Sequence, residues 1–289
     1  MELQQDTITA NGLTFGLLTC GGDGPLASGS SRPLALCLHG FPDSAHTYRH
    51  LLPELAAAGY RAVAPWLRGY DPTEIPADGD FSIGTLAADA NALHEALGGG
   101  SDAVLVGHDW GAMTSYVAGA LAPDRWRRLV TMAVPPPRTA SAAFLRYQQL
   151  KRSFYIFLFQ TGLAPVIGAD DLAFIDGLWS DWSPGYDAAD DLVEVKRSLR
   201  DPANLMAAIG YYRAMFDPHG TPATSGHQQP TLYLHGDTDG AFGVEGVSGA
   251  ESELPPASRV EILPGAGHFL HLEKPTEVNR LVLDWFSTL

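Results

Sequence analysis

The chain is poor in basic residues, cysteine and long apolar runs, and each shortage removes a class of function. Lysine and arginine number 18 against 33 aspartates and glutamates, a formal charge of −15. A surface of that sign repels phosphate backbones and anionic lipid, which makes nucleic acid and membranes poor partners. Two cysteines, Cys20 and Cys37, cannot build a disulfide framework, and without a CxxC pair they signal neither a metal nor a redox centre. Both read as small core residues. The longest aromatic-aliphatic run, Phe154 to Phe159, is far short of the roughly 20 residues that a membrane helix needs. The opening MELQQDTITANG lacks the basic-then-apolar order of a secretory leader. A soluble, cytoplasmic protein is the expectation.

What is present is a strand–helix rhythm. Apolar residues at 45% and charged residues at 18% suit a folded domain rather than a disordered chain. Thr7 to Phe15 reads as two strands about an Asn11-Gly12 turn. Gly21 to Ser31 is rich in glycine and serine but does not open a helix, and reads as a surface loop rather than a phosphate cradle. Strands are then expected at Leu34–Leu38, Arg61–Pro65, Ala103–Val106 and Leu129–Val134, with helices at Thr47–Ala58, Ile83–Leu97 and Met113–Ala122. Alternation of this kind means a mostly parallel sheet flanked by helices. Pro135-Pro136-Pro137 breaks the rhythm, and the stretch after it is helical and rich in aromatics, with no buried strand. Strands resume at Thr231–His235 and Arg259–Leu263, and a helix over Glu277–Phe286 closes the chain. The division is therefore a core over 1–134 and 223–289, interrupted by a helical lid over 135–222. Most of the lid's aromatics are expected to form its own core.

Four chemical pieces follow strand ends, where open α/β sheets place their ligand sites. They are His39-Gly40-Phe41-Pro42, Gly107-His108-Asp109-Trp110-Gly111, Gly236-Asp237-Thr238-Asp239 and Gly265-Ala266-Gly267-His268. The order nucleophile, acid, histidine is that of the α/β-hydrolase fold, whose nucleophile sits on a tight strand-to-helix turn. Here the residue on that turn is Asp109, between the glycines such a turn requires. An ionised carboxylate needs no base to become a nucleophile and can attack a saturated carbon, leaving an ester that water can cleave. A serine attacking the same carbon would be trapped as an ether. His268 is the candidate base for that water, oriented by a carboxylate. The usual G-x-x-D spacing favours Asp239 for that role over Asp237. The main-chain N–H groups of Trp110 and Phe41 are the candidate oxyanion donors, and a cis Pro42 would aim the Phe41 amide inward. His39, His108 and His235 read as structural. The His46/His50 and His268/His271 pairs have helix-like spacing but no obvious acidic companion, so no metal site is assigned.

Across nearly the whole chain these residues resemble the epoxide hydrolases of the α/β-hydrolase superfamily: HGFPDS at 39–44, RGY at 68–70, GHDWG at 107–111, GxxD at 236–239 and GAGHFLHLEKP at 265–275. The resemblance implies cofactor-free opening of an epoxide to a vicinal diol, with water and a small-molecule epoxide as the partners, and leaves monomer or homodimer open; the lid's aromatic composition points to an apolar, aryl-bearing substrate. It also implies two lid tyrosines that donate to the epoxide oxygen. KRSFYIFLFQ at 151–160 places the first at Tyr155, and GYYRAMF at 210–216 places the second at Tyr212, with Tyr211 as the alternative. Phe41, Trp110, Tyr155 and Tyr212 are expected to contact the substrate. Haloalkane dehalogenases resemble the chain too, through the same aspartate, histidine and following tryptophan, but usually carry a halide-binding asparagine where Phe41 stands. Trp110 also occupies the position where haloacetate dehalogenases usually carry an arginine. A non-catalytic receptor on the same scaffold would not need Asp109, Asp239 and His268 together.

Overall fold

The computed structural model describes residues 2–20, 32–217 and 226–287. The glycine- and serine-rich loop at 21–31 and the expected lid boundary at 222/223 lie outside the described residues. Eight strands, β1 (Gln4–Ala10), β2 (Leu13–Cys20), β3 (Leu34–Leu38), β4 (Arg61–Pro65), β5 (Val104–His108), β6 (Arg128–Met132), β7 (Thr231–Gly236) and β8 (Arg259–Leu263), form one sheet in the order β1-β2-β4-β3-β5-β6-β7-β8. β1 and β2 pair antiparallel about Asn11 and Gly12, both at positive φ (45° and 76°), which is the conformation a two-residue hairpin turn demands. β2 is also antiparallel to β4, and from β4 to β8 every pairing is parallel. All residues of β3, β4, β5 and β7 are buried. Because successive side chains point to opposite faces, such strands must be covered on both sides, and this explains their largely apolar character.

The covering helices of the core are α1 (Leu51–Ala57), α2 (Ile83–Ala96) and α3 (Trp110–Leu121), joined at the end of the chain by α12 (Pro275–Ser287); α1 packs with α12 and α2 with α3. Between β6 and β7 come six helices, α4 (Pro137–Phe144), α5 (Tyr147–Arg152), α6 (Phe154–Phe159), α7 (Ala169–Trp182), α8 (Ala189–Leu199) and α9 (Pro202–Ala214), with no strand among the described residues. Two short helices, α10 (Ala250–Glu253) and α11 (Leu270–Glu273), flank β8. No helix of the described residues is long and apolar enough to cross a membrane.

One expected element divides. Thr47–Ala58 is not a single helix but a 3-10 turn over Ala45–Tyr48 followed by α1. Pro53 accounts for the break: its ring would collide with the carbonyl of Arg49, four residues back, and it has no N–H to give. Gly59, at φ 96°, ends α1 as expected.

The sheet order reverses between β3 and β5: the chain moves outward from β3 to β4, then crosses back to β5. The crevice at the carboxyl ends of that pair is the natural ligand site of an open α/β sheet. α3 leaves β5 so steeply that its first turn lies on β3. A Cβ on Gly111 would stand 1.9 Å from the Leu38 carbonyl oxygen and 2.8 Å from that of His39, both backbone atoms that cannot swing aside. Gly111→Ala is therefore expected to destabilise the protein by about 3 kcal/mol or more. Urea unfolding would measure it, and an unchanged midpoint would show that this crossing is not close.

Candidate active site

Asp109 is the single residue between β5 and α3, and it makes the whole reversal at φ 52°, ψ −116°, a conformation that side-chain-bearing residues rarely hold outside functional sites. Gly107 makes room for it, since a Cβ there would lie 2.1 Å from the Gly111 carbonyl oxygen. The loop after β3 closes the other side. A Cβ on Gly40 would lie 2.3 Å from Asp109 Oδ1, so the backbone passes directly against the carboxylate. The next residue, Phe41, donates its N–H to that oxygen at 2.8 Å. The Trp110 N–H also acts on the carboxylate. The Phe41–Pro42 bond is cis. His39 fixes this turn, its Nδ1 donating to the Gly40 carbonyl and its Nε2 accepting from the Leu67 N–H; burial lowers its pKa to about 4, so it stays neutral.

His268 follows β8 and Asp239 follows β7. His268 Nδ1 donates to Asp239 Oδ2 at 2.9 Å, and Nε2 stands 3.7 Å from Asp109 Oδ2, too far for a direct hydrogen bond. The other Asp239 oxygen accepts the N–H groups of Ala241 and Phe242, which locks the carboxylate's rotation. Asp237 instead accepts the Gly265 N–H at 2.6 Å, a turn residue and not a partner of the histidine. Burial opposes charging the His268 ring, but Asp239, its hydrogen bond and Asp109 outweigh that cost and raise the pKa. Burial raises the Asp109 carboxyl, against the pull of His268 and the two N–H groups.

Above Asp109 opens a cavity of about 410 Å³ whose wall is overwhelmingly apolar, contributed by Met113, Val134, Phe144, Leu145, Met215 and Phe216 among others. Its polar side chains are few; besides Asp109, His268, Tyr155 and Tyr212 they are Ser141, Gln149 and Ser153. The two tyrosine rings stand edge to face at 5.6 Å. The Tyr212 hydroxyl is buried without a hydrogen-bond partner. Burial, followed by neighbouring negative charge, raises both phenols above their ordinary pKa, so both keep their protons. Tyr211 does not compete for this place: its hydroxyl donates to the Arg68 carbonyl at 2.7 Å. That bond fixes the rotation of α9 and turns the adjacent Tyr212 inward. Trp110 lines the cavity, but the Phe41 ring does not; it packs edge-on against Phe159 and Tyr212, and only its main chain reaches Asp109.

His108 and His235 are structural, as expected. His108 Nε2 meets the His268 carbonyl, and His235 lies between the Tyr233 hydroxyl and the Phe242 carbonyl. The expectation that insert aromatics pack mainly on each other fails for Trp179 and Trp182. Trp179 stacks on Phe269 at 3.5 Å and donates to the Pro42 carbonyl. The Trp182 carbonyl accepts the N–H groups of both Gly240 and His268, tying the Asp239 loop to the His268 loop. Ser183 accepts the Phe269 N–H and donates to Glu273, whose other oxygen accepts the Gly267 N–H. From α5, Gln149 bonds the Ala241 carbonyl and the Gly243 N–H. None of these supports announces itself by residue type; Glu273 alone lies in a stretch that the sequence had singled out.

Residues 33–275 match the α/β-hydrolase fold family. The chain is 32% identical to epoxide hydrolase 3 of Xenopus tropicalis, over 91% of this chain and 74% of that protein, and 30% identical to epoxide hydrolase 4 of Mus musculus, over 95% and 77%. Among solved structures it resembles epoxide hydrolase A of Mycobacterium thermoresistibile (TM-score 0.80, 26% identity, 99% of this chain and 98% of that one). It also resembles a mutant Bacillus megaterium epoxide hydrolase complexed with its product, a naphthyloxy-propanediol (TM-score 0.84, 28% identity, 98% and 100%). By fold and by these relatives, the chain belongs to the epoxide hydrolases of the α/β-hydrolase family.

Because Asp239 is the leading influence that holds the His268 pKa up, Asp239→Asn is expected to lower it. An NMR titration of the His268 ring would show the shift, and an unmoved titration would mean that the pair is not electrostatically coupled.

Proposed function

We propose that the protein hydrolyses an apolar epoxide to a vicinal diol in two steps, without a cofactor. Asp109 attacks a ring carbon while Tyr155 and Tyr212 donate to the ring oxygen, and the C–O bond opens to an alkyl ester and a hydroxyl. His268, oriented by Asp239, then takes a proton from a water that attacks the ester carbonyl. The charge that develops on the Asp109 oxygen is met by the N–H groups of Phe41 and Trp110. The helices α4–α9 serve as the lid over this chemistry, and the apolar wall favours an aryl or alkyl substituent, in keeping with the naphthyl group of the bacterial relative's product.

The observation that carries this reading is the pair of buried phenols, Tyr155 and Tyr212, lining the same cavity as Asp109 and His268. An alkoxide leaves a carbon far more easily when a proton is supplied, and a phenol remains protonated at neutral pH and can supply it. Loss of halide needs no such donor, so paired phenols favour an epoxide over a haloalkane. The electrostatics suit the order of events. In the free protein Asp109 helps to raise the His268 pKa; once Asp109 becomes a neutral ester that contribution disappears, and the imidazole more readily stays neutral, the form a base requires.

His268→Gln is expected to stop the reaction at the ester, seen as a substrate-mass adduct on the peptide that contains Asp109; turnover lost without an adduct would overturn the two-step scheme. Tyr155→Phe with Tyr212→Phe is expected to slow alkylation by about 10²–10⁴-fold with an unchanged melting temperature. Equal turnover of haloalkanes and epoxides by the parent protein would favour a dehalogenase instead. In single-turnover measurements, ester hydrolysis should fall at low pH as His268 protonates, with a midpoint below the pKa of the same ring in the free protein. A midpoint at or above that value would refute the coupling.

A further inference from the structure

Behind the catalytic histidine lies a second cluster that the reaction does not use. Asp43, His108 and His271 are 1%, 0% and 2% exposed. One ligand atom of each residue lies within 4.8 Å of those of the other two, and Asp43 Oδ2, His108 Nδ1 and His271 Nδ1 have no hydrogen-bond partner. Their outer atoms are all engaged. Asp43 Oδ1 accepts the Ser44 N–H at 2.7 Å. His108 Nε2 lies 2.9 Å from the His268 carbonyl; that oxygen can only accept, so His108 carries its proton on Nε2 and turns a bare lone pair inward. His271 Nε2 meets Thr47 Oγ1 at 2.5 Å, and the Thr47 hydroxyl also serves the Asp43 carboxylate. When the Thr47 proton is directed to Asp43, His271 donates from Nε2 and its Nδ1 is a lone pair as well.

In that arrangement three acceptors converge; burial raises the Asp43 carboxyl well above the usual carboxylate range, and its ion-pair contact among the described residues is the His108 imidazole at 3.8 Å. A buried carboxylate that meets no fixed cation is costly unless it is neutralised or coordinates an ion. We propose that Asp43, His108 and His271 form a binding site for one divalent transition-metal ion of the zinc class. Two imidazoles and a carboxylate are a ligand set such ions favour. Rings whose remote N–H is fixed by an outer oxygen are also how metal-binding histidines are ordinarily held. Tetrahedral bonds of about 2.0–2.1 Å place ligand atoms about 3.3–3.5 Å apart. The Asp43–His108 pair is already near that spacing, and the widest pair closes with shifts of about 0.7 Å in each atom. None of the three residues lines the substrate cavity, so the site stands independently of the proposed reaction. The sequence had set aside His268 with His271 for want of an acidic companion; the fold supplies Asp43 from 228 positions earlier in the chain.

The test uses the full chain, stripped with chelator and dialysed, and because the cluster is sealed from solvent a second sample is refolded with the metal present. Cobalt(II) is expected to bind at one equivalent with visible ligand-field absorption. Zinc is expected to displace it and to raise the melting temperature by about 2 °C or more. Asp43→Asn, which preserves shape, and His271→Leu should each weaken binding at least tenfold, while His50→Ala, at an exposed position paired in sequence with His46, should leave it unchanged. No binding in either sample would overturn the site, since a bridging water or shared proton would then satisfy these atoms. Binding that survives Asp43→Asn and His271→Leu but is lost in His50→Ala would place the ion on the surface and overturn it equally.

Discussion

The structure depends on one reversal of the chain. Between β5 and α3 only Asp109 separates strand from helix, and it holds a backbone conformation that a side chain ordinarily avoids. Strain of that kind persists only where the surroundings over-determine it. Here they do so from three directions: Gly107 and Gly111 admit backbone contacts that a methyl group would prevent, Gly40 brings the neighbouring loop against the carboxylate, and the Phe41 N–H grips Oδ1. The order of the sheet, the steep departure of α3 and the placement of the loop after β3 are all parts of one solution to holding a carboxylate at the head of a helix.

A second dependence runs through the insert. The end of α7 presents a single carbonyl, that of Trp182, to N–H groups from both the Asp239 loop and the His268 loop. Ser183 and Glu273 brace the His268 loop, and Gln149 braces the loop that orients Asp239. The spacing of Asp239 and His268 is thus set partly by residues of the insert. The helices between β6 and β7 line the cavity and also form part of the frame that holds Asp239 and His268.

This division explains what the sequence revealed and what it withheld. Strand ends carrying Asp109, Asp239 and His268 were legible because a tight reversal or a buried ion pair tolerates very few residue types. The hairpin was legible for the same reason at Asn11-Gly12. The choice of Tyr212 over Tyr211 was not decided by the helix itself, since adjacent residues of a helix differ only by rotation; the Tyr211 bond to the Arg68 carbonyl decides it, across 143 positions. The Trp182 carbonyl could not be found because any residue has a carbonyl. The meeting of Asp43, His108 and His271 was hidden because each sits in a motif with its own explanation. The break before α1 could have been read from Pro53, which the helical spacing of its neighbours obscured.

The apolar wall has a consequence for the end of the reaction. Among the cavity's polar side chains, Gln149 and Ser153 bond each other, and much of the remaining wall is Val134, Phe144, Leu145, Met215 and Phe216. An epoxide loses little hydration on entering such a cavity, whereas a diol would leave two hydroxyl groups facing hydrocarbon. In the proposed reaction the chamber therefore grows inhospitable to its contents as the chemistry proceeds, and the gain in polarity that marks the product also drives it out.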